Sequence, residues 1–502
     1  MEGLFGLIHE SSIRYPGKAF VRYMNHAWTY SEVRSLAESV SEYLLECGVQ
    51  KGDRVVIFCD NSIHYIAAFF GVLRINAVAV PVNPVKMPDS ILYIVEKCSP
   101  RLIVACCSTV GKLDTVRKIF GTNIVNIECR DIWSNSGLAV NPDEMRDFAV
   151  DRNDNALILF TSGTTAYPKG VTLTHGNLMA NTEAIVEYLQ LTSEDSVLMT
   201  LPFTYSYGNS VLLTHAFAGA SIVIENSATF PYKILECIKK HRVSGFSTVG
   251  SYINLMLKCI KNSNTNENFF SALRYITFAG ESTNNDDVRF IAANYPDVRI
   301  YVMYGQTEAG ARLSYFCPKL MPGKMGSIGK GLRNVELKVV DESGARVKPG
   351  EVGEIIACGP NIMKCYWEDP DATEEVLRGG WLHTGDSATM DGDGYIYVRG
   401  RKTDMIKHMG HRISPVEIED VINSFSYIKE SAVIESTLDS EPVIKAFVVL
   451  EKECSVEEIK KYTYSKLHAY MRPQVFEIIE QLPRTDTGKI RRSALRSSRC
   501  AE

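Results

Sequence analysis

The stretch Thr161-Ser-Gly-Thr-Thr-Ala-Tyr-Pro-Lys-Gly170 directly follows a short apolar run over residues 157–160. Such a run, bounded by turn-forming residues, predicts a buried strand that ends in a tight loop. Hydroxyl groups and unhindered backbone N–H groups offer many donors in such a loop, and Lys169 adds a positive charge. The loop therefore predicts a polyphosphate site, with an ordinary Thr- and Ser-rich connection as the alternative. It is not a Walker loop, because Pro168 precedes Lys169 where that motif needs glycine.

Similar apolar runs surround this loop and alternate with longer amphipathic stretches, which is the pattern of βα units around mainly parallel sheets. A buried helix is predicted over residues 63–75. Strands are predicted over residues 55–58, 77–80, 102–105, 157–160, 221–224, 275–278 and 300–303. The predicted fold class is therefore α/β.

The character of the sequence changes after Asp386, where a predicted hairpin runs into Gly400-Arg401-Lys402. Glycine followed by charge is typical of a hinge. Ser414-Pro415 with Glu417 has the form of a helix start, and Ser455 with Glu458 repeats it. Strands are predicted over residues 432–434, 443–450 and 475–479. We expect a large domain over residues 1–400 and a small α+β domain over residues 401–502.

Composition narrows the function classes. The 502 residues are 45% hydrophobic and 23% charged, as expected for a folded chain of two or three domains. A formal net charge of -5 gives no basic field for nucleic acid or an anionic membrane, so a small-molecule partner is favoured. No apolar run has the length of a membrane span, and the first residues lack a secretory signal. We expect a cytoplasmic protein.

Residue spacing alone indicates no metal site. The 13 cysteines include no C-x-x-C pair, which favours reduced thiols over disulfides or a thiolate zinc site. His408 and His411 bring no further ligands at metal-binding spacing. Asp391-Gly-Asp393-Gly394 imitates the start of a calcium loop but lacks its later acidic ligands, so a hairpin turn is predicted there.

Six motifs, in family order, resemble those of the adenylate-forming superfamily, which comprises acyl-CoA synthetases, firefly-type luciferases and the adenylation domains of peptide synthetases. The motifs are Thr161 to Gly170, Tyr304-Gly-Gln-Thr-Glu308, Gly350-Glu-Val-Gly-Glu354, Thr384-Gly-Asp386, Gly400-Arg401 with Lys407, Gly410 and Arg412, and Pro483-Arg-Thr-Asp-Thr-Gly-Lys489. The resemblance covers nearly the whole chain. It implies a large N-terminal domain with a small barrel-like part, and a small C-terminal domain that is mobile.

The resemblance also implies a two-step reaction. A carboxylate attacks the α-phosphate of ATP to give an acyl-adenylate and pyrophosphate, and a thiol then takes the acyl group. A carboxylate is a poor nucleophile toward an anionic phosphate, so the protein must supply positive charge and in-line positioning.

Residues that match the family's phosphate-binding loop are Thr161, Ser162, Gly163, Thr164, Thr165 and Lys169. The match further implies that Thr307 contacts the α-phosphate and that Glu308 binds Mg²⁺. Glu308 follows the predicted strand over residues 300–303, and ligands of open α/β sheets gather at strand carboxyl ends. The departure is Ala166, which stands where the family usually has glycine, and a methyl group there restricts a mobile loop.

The nucleoside part of ATP is matched by two groups of residues. Gly280 and Glu281, with Tyr304 and Gly305, correspond to the segments that enclose adenine. Asp386 corresponds to the carboxylate that binds the ribose hydroxyls, and Arg401 to its partner near the same sugar. The alternative interpretations are a turn glycine at 280, a core tyrosine at 304 and a turn residue at 386.

The small domain carries two further matches and one departure. Lys489 corresponds to the lysine that enters the active site during adenylation and bridges the carboxylate to the α-phosphate, whereas a solvated basic tail is the simpler interpretation. Thr403 stands at the hinge position, where Asp or Lys is common. The segment through Gly410 is where the resemblance would guide a pantetheine thiol.

The acid-binding loop corresponds to Tyr205-Ser206. Amino-acid-activating members carry an Asp where this chain has Ser206, and an unpaired ammonium in a closed pocket is costly, so α-amino acids are disfavoured. Tyr205 replaces a frequent His. Gly250, with Ser251, stands where bulkier residues are common and leaves room for a longer acyl or aryl group, or simply ends a strand. Ala279 and Gly305 complete the predicted acyl pocket.

The predicted activity is that of an ATP-dependent carboxylic acid:thiol ligase that uses ATP, Mg²⁺ and CoA on a fatty or aryl acid. The runner-up is a stand-alone enzyme that loads the phosphopantetheine of an acyl carrier protein. A luciferase-like oxygenase has no positive feature here. A silent nucleotide-binding module is disfavoured because the four charged site residues are present, namely Lys169, Glu308, Asp386 and Lys489.

Overall fold

We analysed a computed structural model that describes residues 3–85, 88–129, 148–161, 168–227, 229–262, 268–280, 284–408, 411–438, 441–484 and 490–497. The chain divides into two compact units. The first comprises Met1–Gly163, Tyr167–Leu337 and Ala357–Leu382, and the second contains Lys338–Ile356 and His383–Glu502. The predicted division at residues 400 and 401 stays a prediction.

A nine-stranded sheet spans much of the first unit. Its six central strands run parallel, and antiparallel strands close both edges. In spatial order the strands are Lys330–Gly331, Ser314–Phe316, Arg299–Tyr304, Tyr275–Phe278, Gly245–Thr248, Ser196–Met199, Ser221–Ile224, Ala19–Tyr23 and His26–Thr29.

A seven-stranded sheet lies in the same unit. Five of its strands run parallel, and two antiparallel strands complete one edge. Their spatial order is Cys365–Tyr366, Lys169–Thr174, Asn155–Thr161, Val78–Pro81, Arg54–Phe58, Leu102–Ala105 and Ile124–Asn126. The parallel strands are apolar almost throughout because helices cover both faces.

The helices of the first unit begin at side-chain caps in several cases. Thr29 and Glu32 form a capping box at the start of Tyr30–Glu46, and Ser62 caps the almost fully buried helix Ile63–Arg74. The α-helices are Gly6–Arg14, Tyr30–Glu46, Ile63–Arg74, Pro88–Cys98, Cys107–Val110, Asp114–Phe120, His175–Leu189, Ser206–Ala218, Pro231–His241, Gly250–Asn262, Asn285–Asn294 and Pro370–Val376.

A smaller sheet contains Glu336–Val340, Val352–Cys358, Trp381–Met390, Leu377–Arg378 and Ile396–Arg401. Its last hairpin turns at Asp391, whose carboxylate accepts hydrogen bonds from the backbone N–H groups of Asp393 and Tyr395. Residues 391–394 therefore form the hairpin turn that was predicted from the sequence.

The C-terminal part of the second unit has its own core. Ser414 and Ser455 cap helices as predicted, and Ser455 completes a capping box with Glu458. Ile418 and Ile422 pack with apolar residues of the sheet. The elements here are Ile406–His408, His411–Ile413, Pro415–Asn423, Ile428–Leu438, Glu441–Leu450, Val456–Tyr464, Val475–Ile478 and Arg492–Ser497. The predicted α/β class and the predicted strands are confirmed.

A partly buried ion pair joins the starts of two strands of the nine-stranded sheet, Ser196–Met199 and Tyr275–Phe278. Arg274 binds both carboxylate oxygens of Asp195, with Nε–Oδ1 at 3.0 Å and Nη2–Oδ2 at 2.8 Å. Arg274 also donates to the carbonyl of Leu189 at the end of a helix. Burial raises the pKa of Asp195, but hydrogen bonds from Arg274, Thr192 and Ser244 outweigh it and hold the pKa below its ordinary value. The pair therefore stabilises the fold at neutral pH, and the stabilisation is lost as the pH falls through the carboxyl pKa.

We expect Arg274→Met to destabilise the first unit by about 3 kcal/mol, because it leaves a buried carboxylate without its partner. Urea unfolding at pH 7 measures the loss. Arg289→Met, which removes an exposed pair with Asp286, is the matched control and should leave the midpoint almost unchanged. Equal midpoints for the two variants would contradict the assigned role of the pair.

Candidate active site

The predicted phosphate loop joins two antiparallel strands. Thr161 ends Asn155–Thr161, Lys169 begins Lys169–Thr174, and the two residues pair in register. The hydroxyl of Thr161 donates to the backbone carbonyl of Lys169 over 3.4 Å. The loop between them is thus anchored at both ends. Its predicted ligands Ser162, Gly163, Thr164 and Thr165, together with Ala166, lie outside the described residues.

Tyr366 links the two charged residues of the predicted triphosphate site. Its hydroxyl donates to Glu308 Oε1 at 2.8 Å, and its ring lies 5.1 Å from the ammonium of Lys169. Neither Lys169 nor Glu308 forms an ion pair with any described residue. The tyrosine therefore orients the carboxylate while the lysine keeps its charge available.

The segment that carries Thr307 and Glu308 is held rigidly. A Cβ at Gly305 would lie 2.0 Å from the carbonyl oxygen of Ala311, so only glycine fits where the chain doubles back. The buried Asn361 amide donates to the carbonyls of Ala309 and Arg312 at 3.1 and 2.8 Å. These contacts fix the turn that presents the Glu308 carboxylate.

The predicted acid loop meets this segment directly. Ser206 begins the helix Ser206–Ala218, and its hydroxyl lies 3.4 Å from that of Thr307. A Cβ at Gly208 would lie 2.1 Å from the carbonyl oxygen of Pro202, so the loop turns tightly into the helix. The residue predicted to contact the acid thus lies beside the residue predicted to contact the α-phosphate.

Two tyrosines flank Ser206. The hydroxyl of Tyr205 accepts a hydrogen bond from Asn83 at 3.0 Å. The hydroxyl of Tyr207 lies 2.7 Å from the hydroxyl of Thr277. Burial raises the pKa of Tyr207, although several contacts, among them the charge of Arg312, oppose the shift. Ser206 thus lies in the sequence between two tyrosines whose hydroxyls are hydrogen-bonded to other parts of the first unit.

The other predicted pocket residues follow sheet strands. Ala279 and Gly280 come directly after Tyr275–Phe278, and Gly250 begins Gly250–Asn262 close after Gly245–Thr248. Gly280 has φ +87°, and a Cβ there would meet only Val249 at 3.9 Å. Glycine at position 280 is therefore favoured by the positive φ angle and not by a lack of room for a side chain. Glu281 lies outside the described residues.

Sequence reasoning missed Arg312, Asn361 and Tyr366. Arg312 is 3% exposed, its guanidinium lies 4.1 Å from the ring centre of Tyr207, and its Nε donates to the sulfur of Met303 at 3.0 Å. A basic residue four positions after Glu308 was the available signal. Nothing in the local pattern marked Asn361 and Tyr366, because their contacts join distant parts of the chain.

In the second unit, Asp386 and Arg401 form an ion pair of 3.0 Å across the hairpin. Arg401 also donates to the carbonyl of Thr384, while Glu354 accepts a hydrogen bond from the N–H of Gly385. Burial raises the pKa of Glu354, but hydrogen bonds and charge, from Lys402 foremost, bring it below its ordinary value. The Asp386 carboxylate is thereby fixed on a braced turn.

The predicted hinge residue Thr403 is exposed in the turn that follows Ile396–Arg401. Asp404 closes that turn by donating its N–H to the carbonyl of Arg401 at 3.0 Å. Gly410 and Lys489 lie outside the described residues. The roles of these three residues stay predictions.

This arrangement defines an adenylate-forming enzyme. The sequence model of the AMP-binding enzyme family matches residues 8–367, and that of the AMP-binding enzyme C-terminal domain matches residues 417–489. The chain belongs to this family. The predicted class, an AMP-forming acid–thiol ligase, is confirmed.

Three individual proteins illustrate this similarity. The chain is 30% identical to 4-coumarate–CoA ligase 3 of Arabidopsis thaliana over 94% of this chain and 87% of that protein. An anthranilate CoA ligase solved with anthranoyl-AMP is 26% identical, with a TM-score of 0.89 over 99% and 97% of the two chains. O-succinylbenzoate CoA synthetase of Bacillus subtilis, solved with ATP and magnesium, is 25% identical, with a TM-score of 0.86 over 97% and 98%.

Across the described ranges, no helix combines the length and apolarity needed to cross a bilayer. The described carboxylate that the family resemblance assigns to Mg²⁺ is Glu308. Glu308 supplies a carboxylate oxygen, the donor type that this hard cation prefers, and Tyr366 holds that carboxylate in place. The predicted metal ligand thus fits the ion.

We expect Tyr366→Phe to raise the Mg²⁺ concentration for half-maximal pyrophosphate release about tenfold, because it removes the hydrogen bond that orients the metal ligand. The ring facing Lys169 is retained. Initial rates over a Mg²⁺ titration measure the shift. The control is Tyr464→Phe, because the Tyr464 hydroxyl donates to the carbonyl of Pro473 and not to a residue of the site. An unchanged Mg²⁺ dependence would show that Tyr366 does not orient Glu308 for the metal.

Proposed function

We propose that the protein joins an aromatic carboxylic acid to CoA, with ATP cleaved to AMP and pyrophosphate. The observation that carries the proposal is the contact of 3.4 Å between the hydroxyls of Ser206 and Thr307. An acid that reaches Ser206 and an α-phosphate that reaches Thr307 must lie side by side. That juxtaposition is what in-line attack of a carboxylate on phosphorus requires.

Charge placement supports the first half-reaction. Lys169 keeps its ammonium unpaired by described carboxylates and can bind the outer phosphates, which lowers the repulsion felt by the incoming carboxylate. Glu308 would hold Mg²⁺, which when bound neutralises phosphate charge. Thr307 donates from its hydroxyl to the α-phosphate, where negative charge increases during the attack. Positioning and electrostatics thus perform the step without a general base, because the carboxylate is already ionised at neutral pH.

The surroundings of Ser206 favour an aromatic acid. Tyr205 and Tyr207 are its neighbours in the sequence, and the relatives compared above are named for 4-coumarate, anthranilate and O-succinylbenzoate. Aromatic rings pack well against tyrosine in offset or edge-on geometry. Ser206 brings no negative charge to match an ammonium, which keeps α-amino acids disfavoured.

Asp386 and Arg401 are proposed to bind ribose, with Gly280, Glu281, Tyr304 and Gly305 on the adenine. The hinge role of Thr403 and the thiol-guiding role of the Gly410 segment are proposed with them. A cytoplasmic location is part of the same proposal. An acyl carrier protein is the acceptor that the experiment must distinguish from CoA.

We expect the purified protein, screened by mass spectrometry for thioester products, to use aryl acids at least about 100-fold better than α-amino acids in kcat/KM. CoA should support turnover, and holo-carrier protein at equal concentration should not. Turnover with carrier protein alone would replace the CoA assignment. A preference for amino acids would overturn the argument from Ser206.

We further expect Lys489→Ala to slow acyl-adenylate formation by about 100-fold or more, because its charge bridges the carboxylate and the α-phosphate. Thioester formation from a supplied acyl-adenylate should stay within about twofold of wild type. Lys452→Ala, an exposed lysine in the same domain, is the control and should affect neither step. Equal losses in both half-reactions would contradict the proposed role.

A further inference from the structure

A second group of reactive side chains lies at the carboxyl edge of the seven-stranded sheet. Three neighbouring parallel strands, Arg54–Phe58, Leu102–Ala105 and Ile124–Asn126, end side by side, with Phe58 paired to Ala105 and Ala105 to Asn126. Cys59, Cys106 and Glu128 follow these ends directly or within two residues. His64 joins them from the start of the helix Ile63–Arg74.

Three donor atoms of different chemistry converge there. His64 Nδ1, Cys106 Sγ and a carboxylate oxygen of Glu128 all lie within 4.8 Å of one another. The imidazole Nδ1 is 3.2 Å from Glu128 Oε1. The other carboxylate oxygen accepts the backbone N–H of Cys107 at 2.8 Å. The ligand oxygen is thus aimed into the cluster by a contact on its far side.

Each donor is fixed by its backbone. The N–H of Cys106 donates to the hydroxyl of Thr109, which in turn donates to the carbonyl of Phe58 at 2.6 Å. The N–H of Glu128 donates to the side chain of Asn126 at 3.1 Å. Ser62 caps the helix that carries His64. The backbone therefore holds the three donor atoms close enough together to share one ion.

We propose that His64, Cys106 and Glu128 bind one zinc-type divalent ion. Sulfur, imidazole nitrogen and carboxylate oxygen together suit a borderline cation of tetrahedral preference and disfavour Mg²⁺ or Ca²⁺. Binding requires the Cys106 thiol to lose its proton, which leaves to solvent. A water completes the coordination, since the side chains of His64 and Glu128 are 22% and 27% exposed.

The ion would act on stability and not on the ligase reaction. The strand that ends at Thr161 stands three places away from Leu102–Ala105 in the sheet, which corresponds to about 14 Å at ordinary strand spacing. Bound metal would tie the ends of two sheet strands and one helix together in the native state only. It therefore raises the melting temperature by mass action.

The test uses the full-length protein, stripped of metal under reducing conditions and kept in excess Mg²⁺ so that carboxylate-only sites are occupied. We expect one Zn²⁺ per chain in competition with a chromophoric chelator, and a rise in melting temperature on binding. Co²⁺ should produce a near-ultraviolet thiolate-to-metal band. Cys106→Ser should abolish the band and weaken zinc binding at least about tenfold.

Two further variants complete the design. His64→Gln should weaken zinc binding while keeping the sulfur band at high Co²⁺, which separates the nitrogen ligand from the thiolate. Cys454→Ser, which removes a half-buried thiol of the C-terminal part, is the control and should bind like wild type. Circular dichroism and ligase activity report whether each variant folds. Failure of wild type to bind stoichiometrically, or a band that survives in Cys106→Ser, overturns the proposal.

Discussion

A site that binds both an anionic triphosphate and a cation must keep its own lysine and glutamate from neutralising each other. Tyr366 meets this constraint by donating to Glu308 with its hydroxyl while its ring faces the Lys169 ammonium at 5.1 Å. The lysine thus has an attractive but weak cation–π contact with the same side chain that donates to the glutamate. The tyrosine lies on the short strand Cys365–Tyr366, which pairs with Lys169–Thr174 and so places the ring beside the lysine.

The remaining site geometry depends on close backbone packing around that centre. Asn361 and Asn181 both donate to the carbonyl of Arg312, which fixes the turn after Glu308. The guanidinium of Arg312 is buried against the face of Tyr207, a residue next to Ser206. Arg312 thus connects two parts of the site: its backbone carbonyl belongs to the turn after Glu308, and its guanidinium contacts the residue next to Ser206.

Much of this could be predicted from the sequence because the relevant signals are local. Short apolar runs ended by glycine or polar residues gave strands such as Leu102–Ala105 and Tyr275–Phe278, and Ser-x-x-Glu patterns gave helix starts at Ser414 and Ser455. The motif that contains Glu308 could be placed for the same reason, because it begins at the end of the apolar strand Arg299–Tyr304. Non-local contacts carried no such signal. Tyr366 is 58 positions from Glu308. The residues His64, Cys106 and Glu128 have a spacing that resembles no metal-binding pattern. The expectation of no thiolate site rested on such spacing alone.

In the proposed reaction, an oxygen of the substrate carboxylate attacks the α-phosphorus of ATP. The most direct measurement is single turnover with an aryl acid labelled with ¹⁸O in its carboxylate, followed by mass spectrometry of the AMP and pyrophosphate released in the presence of CoA. Attack at the α-phosphorus should leave one labelled oxygen in AMP and none in pyrophosphate. Label in pyrophosphate, or AMP free of label despite thioester formation, would contradict it.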